Sequence, residues 1–242
     1  MLEIINLEYN LFKKQKFLSF ERLQNQGNCN INYLLTTEHQ KYIIREFKLK
    51  NDRESEFKIQ KVIAKKNIGA SPLLLDRVNR VMVSEFIKGE HKPKPNRAEL
   101  KKLALLINRL HKIKTRQKRT NLKSFFDIKE KKALKVLRKI NTYKKEFVLC
   151  HNDLHPQNIL FGESVKLIDW EYAGINDKYF DLASVIIEFK LLKREEDIFL
   201  NSYFRRKSRL NREKLIEYKI IYKELWRVWF ENLTKGKMEI EE

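Results

Sequence analysis

Cysteine is nearly absent from this chain: two residues, Cys29 and Cys150, stand at no metal-binding or redox spacing. That excludes a disulfide framework and a thiolate metal site, and it points to a reducing, cytoplasmic setting. No run approaches the about 18 consecutive apolar residues of a membrane span, and the opening MLEIINLEYNLFKKQ lacks the layout of a signal peptide. Membrane insertion is therefore not expected. Histidine is scarce too. Of five, His39, His91 and His111 lie in unrelated contexts, which leaves too few for a metal hydrolase built on imidazole ligands.

Positive charge is what the chain has in excess, with 52 Lys and Arg against 32 Asp and Glu and a formal net charge of +20. Such a balance invites a nucleic-acid partner, yet no nucleic-acid motif accompanies it, and a lysine-rich surface gives the same total. We expect no nucleic-acid partner. The distribution says more. Between Lys112 and Glu146 fourteen Lys or Arg face three acids, a basic stretch (Lys112–Lys145) with no partner legible in it. Between His151 and Lys190 seven acids face three Lys. With 42% hydrophobic and 11% aromatic residues, the chain has the material for a folded core.

The hydrophobic pattern divides the chain. INYLLTTEHQKYIIREF reads as two strands joined near Glu38–Gln40, and DRESEFKIQKVIAKKNIG as an amphipathic helix opened by Asp52 and closed by Gly69. VMVSEFI is a further strand. KGEHKPKPNR, with two of the four prolines, is a connector. Beyond it, AELKKLALLINRLHKI places Leu100, Leu103, Leu106, Ile107 and Leu110 on one helical face, and IKEKKALKVLRKI is a second, very basic helix. The region after Asp177 reads as almost wholly helical. The expectation is α+β, with a small β-rich N-lobe over residues 1–88, a linker over 89–96 and a larger, mostly helical C-lobe over 97–242.

The acidic region opens on HNDLHPQNIL, residues 151–160. His151, Asp153 and His155 alternate as metal ligands could, and an Asn/Asp/Pro cluster can also be an ordinary turn. The flanks favour a third reading. EFVLC precedes the cluster, NILF follows it, and VKLIDWEYAG brings a second acid to the end of a strand. Phosphoryl transfer uses this arrangement: one Asp accepts the attacking hydroxyl's proton, an Asn five residues on holds magnesium, and an Asp after the next strand bridges metal and nucleotide phosphates. Asp153 fits the first role, and Asn158 and Asp169 fit the metal roles.

On these motifs the sequence resembles the protein-kinase-like superfamily of aminoglycoside phosphotransferases and choline kinases, from about Leu18 to Phe230. The resemblance implies ATP and Mg2+ as cofactors. It places Arg45 of YIIREF at the strand cation that meets the phosphates and Glu56 as its ion-pair partner. It makes SEFIKGE a hinge whose backbone at Glu85 and Ile87 would bond adenine. The phosphate loop is thin, because LQNQGNCNINYLL has a single glycine, and Gly27 and Asn28 would hold phosphate through their amides.

Only 11 residues separate Asp169 from Asp181, too few for a peptide platform, so the acceptor is a small molecule. IDWEYAGINDKYFDLA resembles the choline and ethanolamine kinase signature. That resemblance implies Glu171, Tyr172 and Glu188 as substrate-facing residues, Asp153 as substrate contact as well as base, and Asp181 as a brace for the catalytic loop. Tyr222, Trp226 and Trp229 share one helical face. Such a stripe is commonly core, but a quaternary ammonium is recognised by aromatic faces and carboxylates, and choline kinases build their cage from a Trp-x-x-Trp pair near the C-terminus. Choline, a small amino alcohol, is the preferred substrate. The alternatives are an ethanolamine, thiamine or aminoglycoside kinase, and a nucleotide-binding pseudokinase.

Overall fold

Alternation of aromatic and aliphatic residues with polar ones dictates a sheet before anything else. In the computed structural model, which describes residues 9–13, 15–24, 30–48, 52–205 and 210–234, β2 (Asn30–Thr37) and β3 (Lys41–Phe47) form an antiparallel hairpin. Tyr33, Leu35, Tyr42 and Ile44 turn inward from it and close a core with Phe12, Val81 and Val83. The sheet has five strands in the order β1-β2-β3-β5-β4, where β1 is Phe17–Arg22, β4 is Pro72–Asp76 and β5 is Val81–Glu85. Both edge strands escape the sequence reading. β1 mixes charged with apolar residues, and β4 starts on a proline, which an edge position tolerates.

Helix α1 (Arg53–Lys65) begins where expected: Asp52 accepts the Ser55 N–H at 3.0 Å. It ends earlier than Gly69. Asn67, with φ 57°, takes the left-handed position, and Asn67 N–H and Ile68 N–H reach back to Ala64 O (2.8 Å) and Ile63 O (3.1 Å). Asn tolerates that backbone well enough to do the work assigned to the glycine.

The chain divides into two compact units at the Lys88–Gly89 junction. The second unit is mainly helical. Its α2 (Arg97–Leu110) opens on a capping box in which Glu99 N–H donates to Asn96 Oδ1 (3.0 Å) and Asn96 N–H to Glu99 Oε2 (2.8 Å), and its five predicted leucine and isoleucine positions are all buried. α3 (Lys131–Ile140), α4 (Tyr179–Glu188), α5 (Lys193–Phe204) and α6 (Arg212–Thr234) follow, with α2 packed on α5 and α6 on both α3 and α4. Two small antiparallel ribbons complete it: β6 (Phe147–Cys150) with β9 (Gly174–Asp177), and β7 (Ile159–Leu160) with β8 (Lys166–Leu167). The first pairing joins EFVLC to GIND, a partner the sequence alone does not reveal.

Part of the basic stretch fastens helices. Lys132 pairs with Glu224 (2.6 Å), Lys139 with Glu217 (2.5 Å) and Arg227 with Glu130, each across the α3–α6 contact. Deeper in, Lys214 is 1% exposed, its Nζ 2.7 Å from Asp177 Oδ2, 3.2 Å from Glu146 Oε2 and 2.8 Å from Lys144 O. It ties the start of α6 to the β6–β9 ribbon. Replacing it with Met should leave Asp177 as an unpaired buried carboxylate, a loss of about 3–5 kcal/mol. In a thermal melt this predicts a Tm lower by on the order of 10 °C. An unchanged Tm would show that the ribbon does not depend on this pair.

Candidate active site

The cluster HNDLHPQN is built as a loop held from behind. β6 delivers the chain at Cys150, and Asp181, fully buried in the first turn of α4, receives it: Oδ2 accepts His151 N–H and Oδ1 accepts Asn152 N–H, both at 2.9 Å. His111 Nε2 donates to the same carboxylate at 3.0 Å, and the Tyr203 hydroxyl in turn bonds His111 Nδ1 at 2.7 Å. Asn152 has φ 67° and is locked by its side chain, which donates to Thr120 Oγ1 (3.2 Å) and Tyr172 O (2.9 Å) and accepts from Asn176 Nδ2 (2.9 Å). Ser184 Oγ donates to Leu154 O at 2.9 Å. So fixed, the loop can present the next side chain in one orientation.

That side chain is Asp153. Asn158 Nδ2 donates to its Oδ2 at 2.8 Å and to its backbone carbonyl at 3.0 Å, and His155 Nε2 lies 3.5 Å from the same Oδ2. Oδ1 is buried and has no hydrogen-bond partner among the described residues. A buried carboxylate oxygen without a donor is costly. Burial opposes charge on the His155 ring, but Asp153, Gln157 and Glu188 outweigh it and raise its pKa. His151 is the opposite case. Burial lowers its pKa, its Nε2–H donates to Ile168 O at 2.9 Å, and its ring packs 4.5 Å from that of Trp170. His151 thus ties this loop to the next acidic loop, and His151, Asp153 and His155 do not converge as metal ligands.

Asp169 follows β8 with φ 65°, a left-handed backbone that Asp tolerates better than most residues. Ile168 N–H bonds Asn158 O at 3.0 Å, and the fully buried Trp170 seats the loop from below. Asn158 turns its amide nitrogen to Asp153, and its carbonyl oxygen and the part-exposed Asp169 carboxylate are hard oxygen donors of the kind that suits magnesium. His111, Cys150 and Asp181 also come within 4.8 Å of one another, but the Asp181 and His111 donors are committed to the hydrogen bonds that hold the loop.

The EYAGIN segment has structural work of its own. A side chain at Gly174 would bring Cβ within 3.0 Å of the Lys118 carbonyl, because residues 118–120 run alongside β9. Asn176 holds Asn152, as above. Glu171 and Tyr172 are part-exposed. Glu188 ends α4, where Tyr222 O–H donates to its Oε1 at 3.0 Å. The α6 stripe divides: Tyr222 is buried, whereas Trp226 and Trp229 are part-exposed, their rings 5.2 Å apart at 72°.

In the first unit Arg45 and Glu56 meet as expected, at 2.8 Å. Glu56 is shared, because Arg53 Nη1 bonds its other oxygen at 3.0 Å, while Arg53 also reaches Asn30 Oδ1 (3.2 Å) and stacks 4.1 Å over Phe47. Arg53 was not singled out from sequence, although its position one turn before Glu56 is a signal that could have found it. Glu85 N–H is taken by Ser71 O at 2.9 Å, which leaves that donor unavailable to a ligand. Gly27 and Asn28 lie outside the described residues.

Comparison with known proteins agrees with this architecture. Residues 94–218 match the model of the choline/ethanolamine kinase family. Protein LicA of Haemophilus influenzae is 40% identical over 84 residues, which make up 34% of this chain and 30% of LicA, so the match spans under a third of that protein. A LicA homolog of Mycoplasma capricolum is 25% identical over 179 residues, 68% of this chain and 73% of the homolog. The structure of choline kinase LicA from Streptococcus pneumoniae superposes with a TM-score of 0.79 at 21% identity, over 93% of this chain and 89% of that one, a likeness of fold. With a kinase-like α+β fold and a family match over more than half its length, the chain belongs to the choline/ethanolamine kinase family.

Proposed function

We propose that this protein is a cytoplasmic kinase that transfers the ATP γ-phosphate to the hydroxyl of choline. One observation carries the kinase reading: Asp153 has one oxygen fixed by Asn158 and the other buried without a hydrogen-bond partner among the described residues. Oδ1 accepts the hydroxyl proton as the oxygen attacks phosphorus, and the neighbouring His155 holds the carboxylate in place. Asn158 and Asp169 are the residues to hold Mg2+, which when bound would neutralise phosphate charge. Arg45, kept straight by Glu56, supports the phosphates, Gly27 and Asn28 supply amides, and Glu85 C=O with Ile87 N–H receives adenine. Most of the rate comes from positioning and charge neutralisation.

The choice of choline rests on charge and π faces. Glu188 and Asp153 both act on the Tyr222 hydroxyl, whose pKa is raised first by burial and then by their negative charge. Two carboxylates gathered near one phenol suit a cationic substrate. Glu171 and Tyr172, with Trp226 and Trp229, would complete its surroundings. An ADP-release screen over choline, ethanolamine, thiamine and an aminoglycoside tests the assignment, and choline should give the highest kcat/KM. Ethanolamine is the second reading, since the family includes both substrates.

Asp153→Asn should lower kcat by about 100-fold or more, the scale of a lost general base, with ATP affinity nearly unchanged. Near-normal turnover would sink the kinase reading. In calorimetry, Asp169→Ala should weaken magnesium-dependent ATP binding, and wild-type binding in that variant would make Asp169 a turn residue only. Trp226→Ala should raise the KM for choline several-fold, because one ring face contributes about 0.5–2 kcal/mol to a cation, while the KM for ATP changes little. Equal losses for both substrates together with a lower Tm would assign Trp226 to the core.

A further inference from the structure

Glu188 occupies the last position of α4, where the helix carbonyls make a carboxylate unfavourable. Its hydrogen bond comes from Tyr222, whose phenol donates to Oε1 at 3.0 Å from a side chain that is 1% exposed. Water does not compete for that donor. Burial and the charges of Glu188 and Asp153 keep the phenol protonated, so the bond persists across working pH. One turn further along α6, Trp226 sets its ring 6.2 Å from that of Tyr222.

We infer that Tyr222 sets which amino alcohol the site prefers, by engaging Glu188 Oε1 and so withdrawing one acceptor from the substrate headgroup. The inference rests on the amino-alcohol kinase reading above. A trimethylammonium group has no N–H to satisfy. It is held by negative charge and π faces, and it loses nothing when an oxygen already accepts a bond. A primary ammonium carries three N–H donors, and each one desolvated without an acceptor is a penalty. A carboxylate that keeps its charge but offers fewer lone pairs therefore discriminates against the primary amine. Tyr222 is a positioning residue in this scheme, acting through Glu188.

The test is Tyr222→Phe, which keeps the ring that packs 5.5 Å from Phe180 and removes only the hydroxyl. Choline and ethanolamine compete at matched concentration in one reaction, so the ratio of their kcat/KM values does not depend on the fraction of folded protein. That ratio should fall roughly tenfold toward ethanolamine, the scale of a hydrogen bond to a charged acceptor, with the KM for ATP unmoved. A parent that phosphorylates choline but whose ratio is unchanged, or rises, in the variant overturns the inference and leaves the kinase reading standing. A parent that phosphorylates neither overturns both. Glu188→Gln supplies a second arm if Tyr222→Phe does not fold: removing the charge should weaken both substrates alike. A loss confined to ethanolamine would show Glu188 already bonding its ammonium and would overturn the inference.

Discussion

One buried carboxylate holds the second unit's site together. Asp181 accepts two consecutive backbone N–H groups of the catalytic loop and a third hydrogen bond from His111. Without it, His151 and Asn152 would have orphaned amides in a region closed to water, and the left-handed turn at Asn152 would lose its reason. Everything that points Asp153 follows from this bracket. The same carboxylate lies in the first turn of α4, where the helix dipole favours negative charge. The loop is therefore anchored to the end of the helix whose other end carries Glu188, so Asp153 and Glu188 are positioned from one helix.

The sequence made the general plan legible because phosphoryl transfer uses fixed residue types at fixed spacing. The spacing offers Asp153, Asn158 and Asp169 as candidates, and the family resemblance pairs Arg45 with Glu56, which do meet. Hairpin and helix periods gave β2, β3, α2 and α3. What was not legible is what requires distant chain segments to meet. The pairing of β6 with β9, the closeness of residues 118–120 to Gly174, and the sharing of Glu56 with Arg53 depend on tertiary placement. The α6 stripe shows the limit well. Spacing puts Tyr222, Trp226 and Trp229 on one face, but only packing decides that the first is core and the other two are part-exposed.

The charge excess also acquires a local meaning. Lys132, Lys139 and Arg227 hold α3 to α6 through Glu224, Glu217 and Glu130, so a share of the basic stretch works within the fold. The lysines of these pairs are exposed, and each such pair contributes little by itself. Lys214 is different, because it is buried and its removal strands Asp177. The acids between residues 151 and 190 divide in the same way. Asp177 and Asp181 are structural, taken up by Lys214 and by backbone amides, while Asp153 and Glu188 take side-chain hydrogen bonds from Asn158 and Tyr222.

That division bears on why a strongly basic protein would suit a cationic substrate. Net charge acts over a Debye length, about 8 Å at physiological ionic strength, so distant surface lysines are screened from a site walled by protein. Within the site the nearest charges decide, and Glu188 and Asp153 are both close enough to perturb Tyr222. A phosphorylated anion such as ATP and a small cation place opposite demands on one enzyme. On the proposed reading these demands fall to separate groups: arginines on the β-sheet unit, carboxylates and indoles on the helical one. On that reading, specificity for the acceptor would depend on which lone pairs remain on Glu188 once Tyr222 has taken one, a property of hydrogen bonding that overall charge does not set.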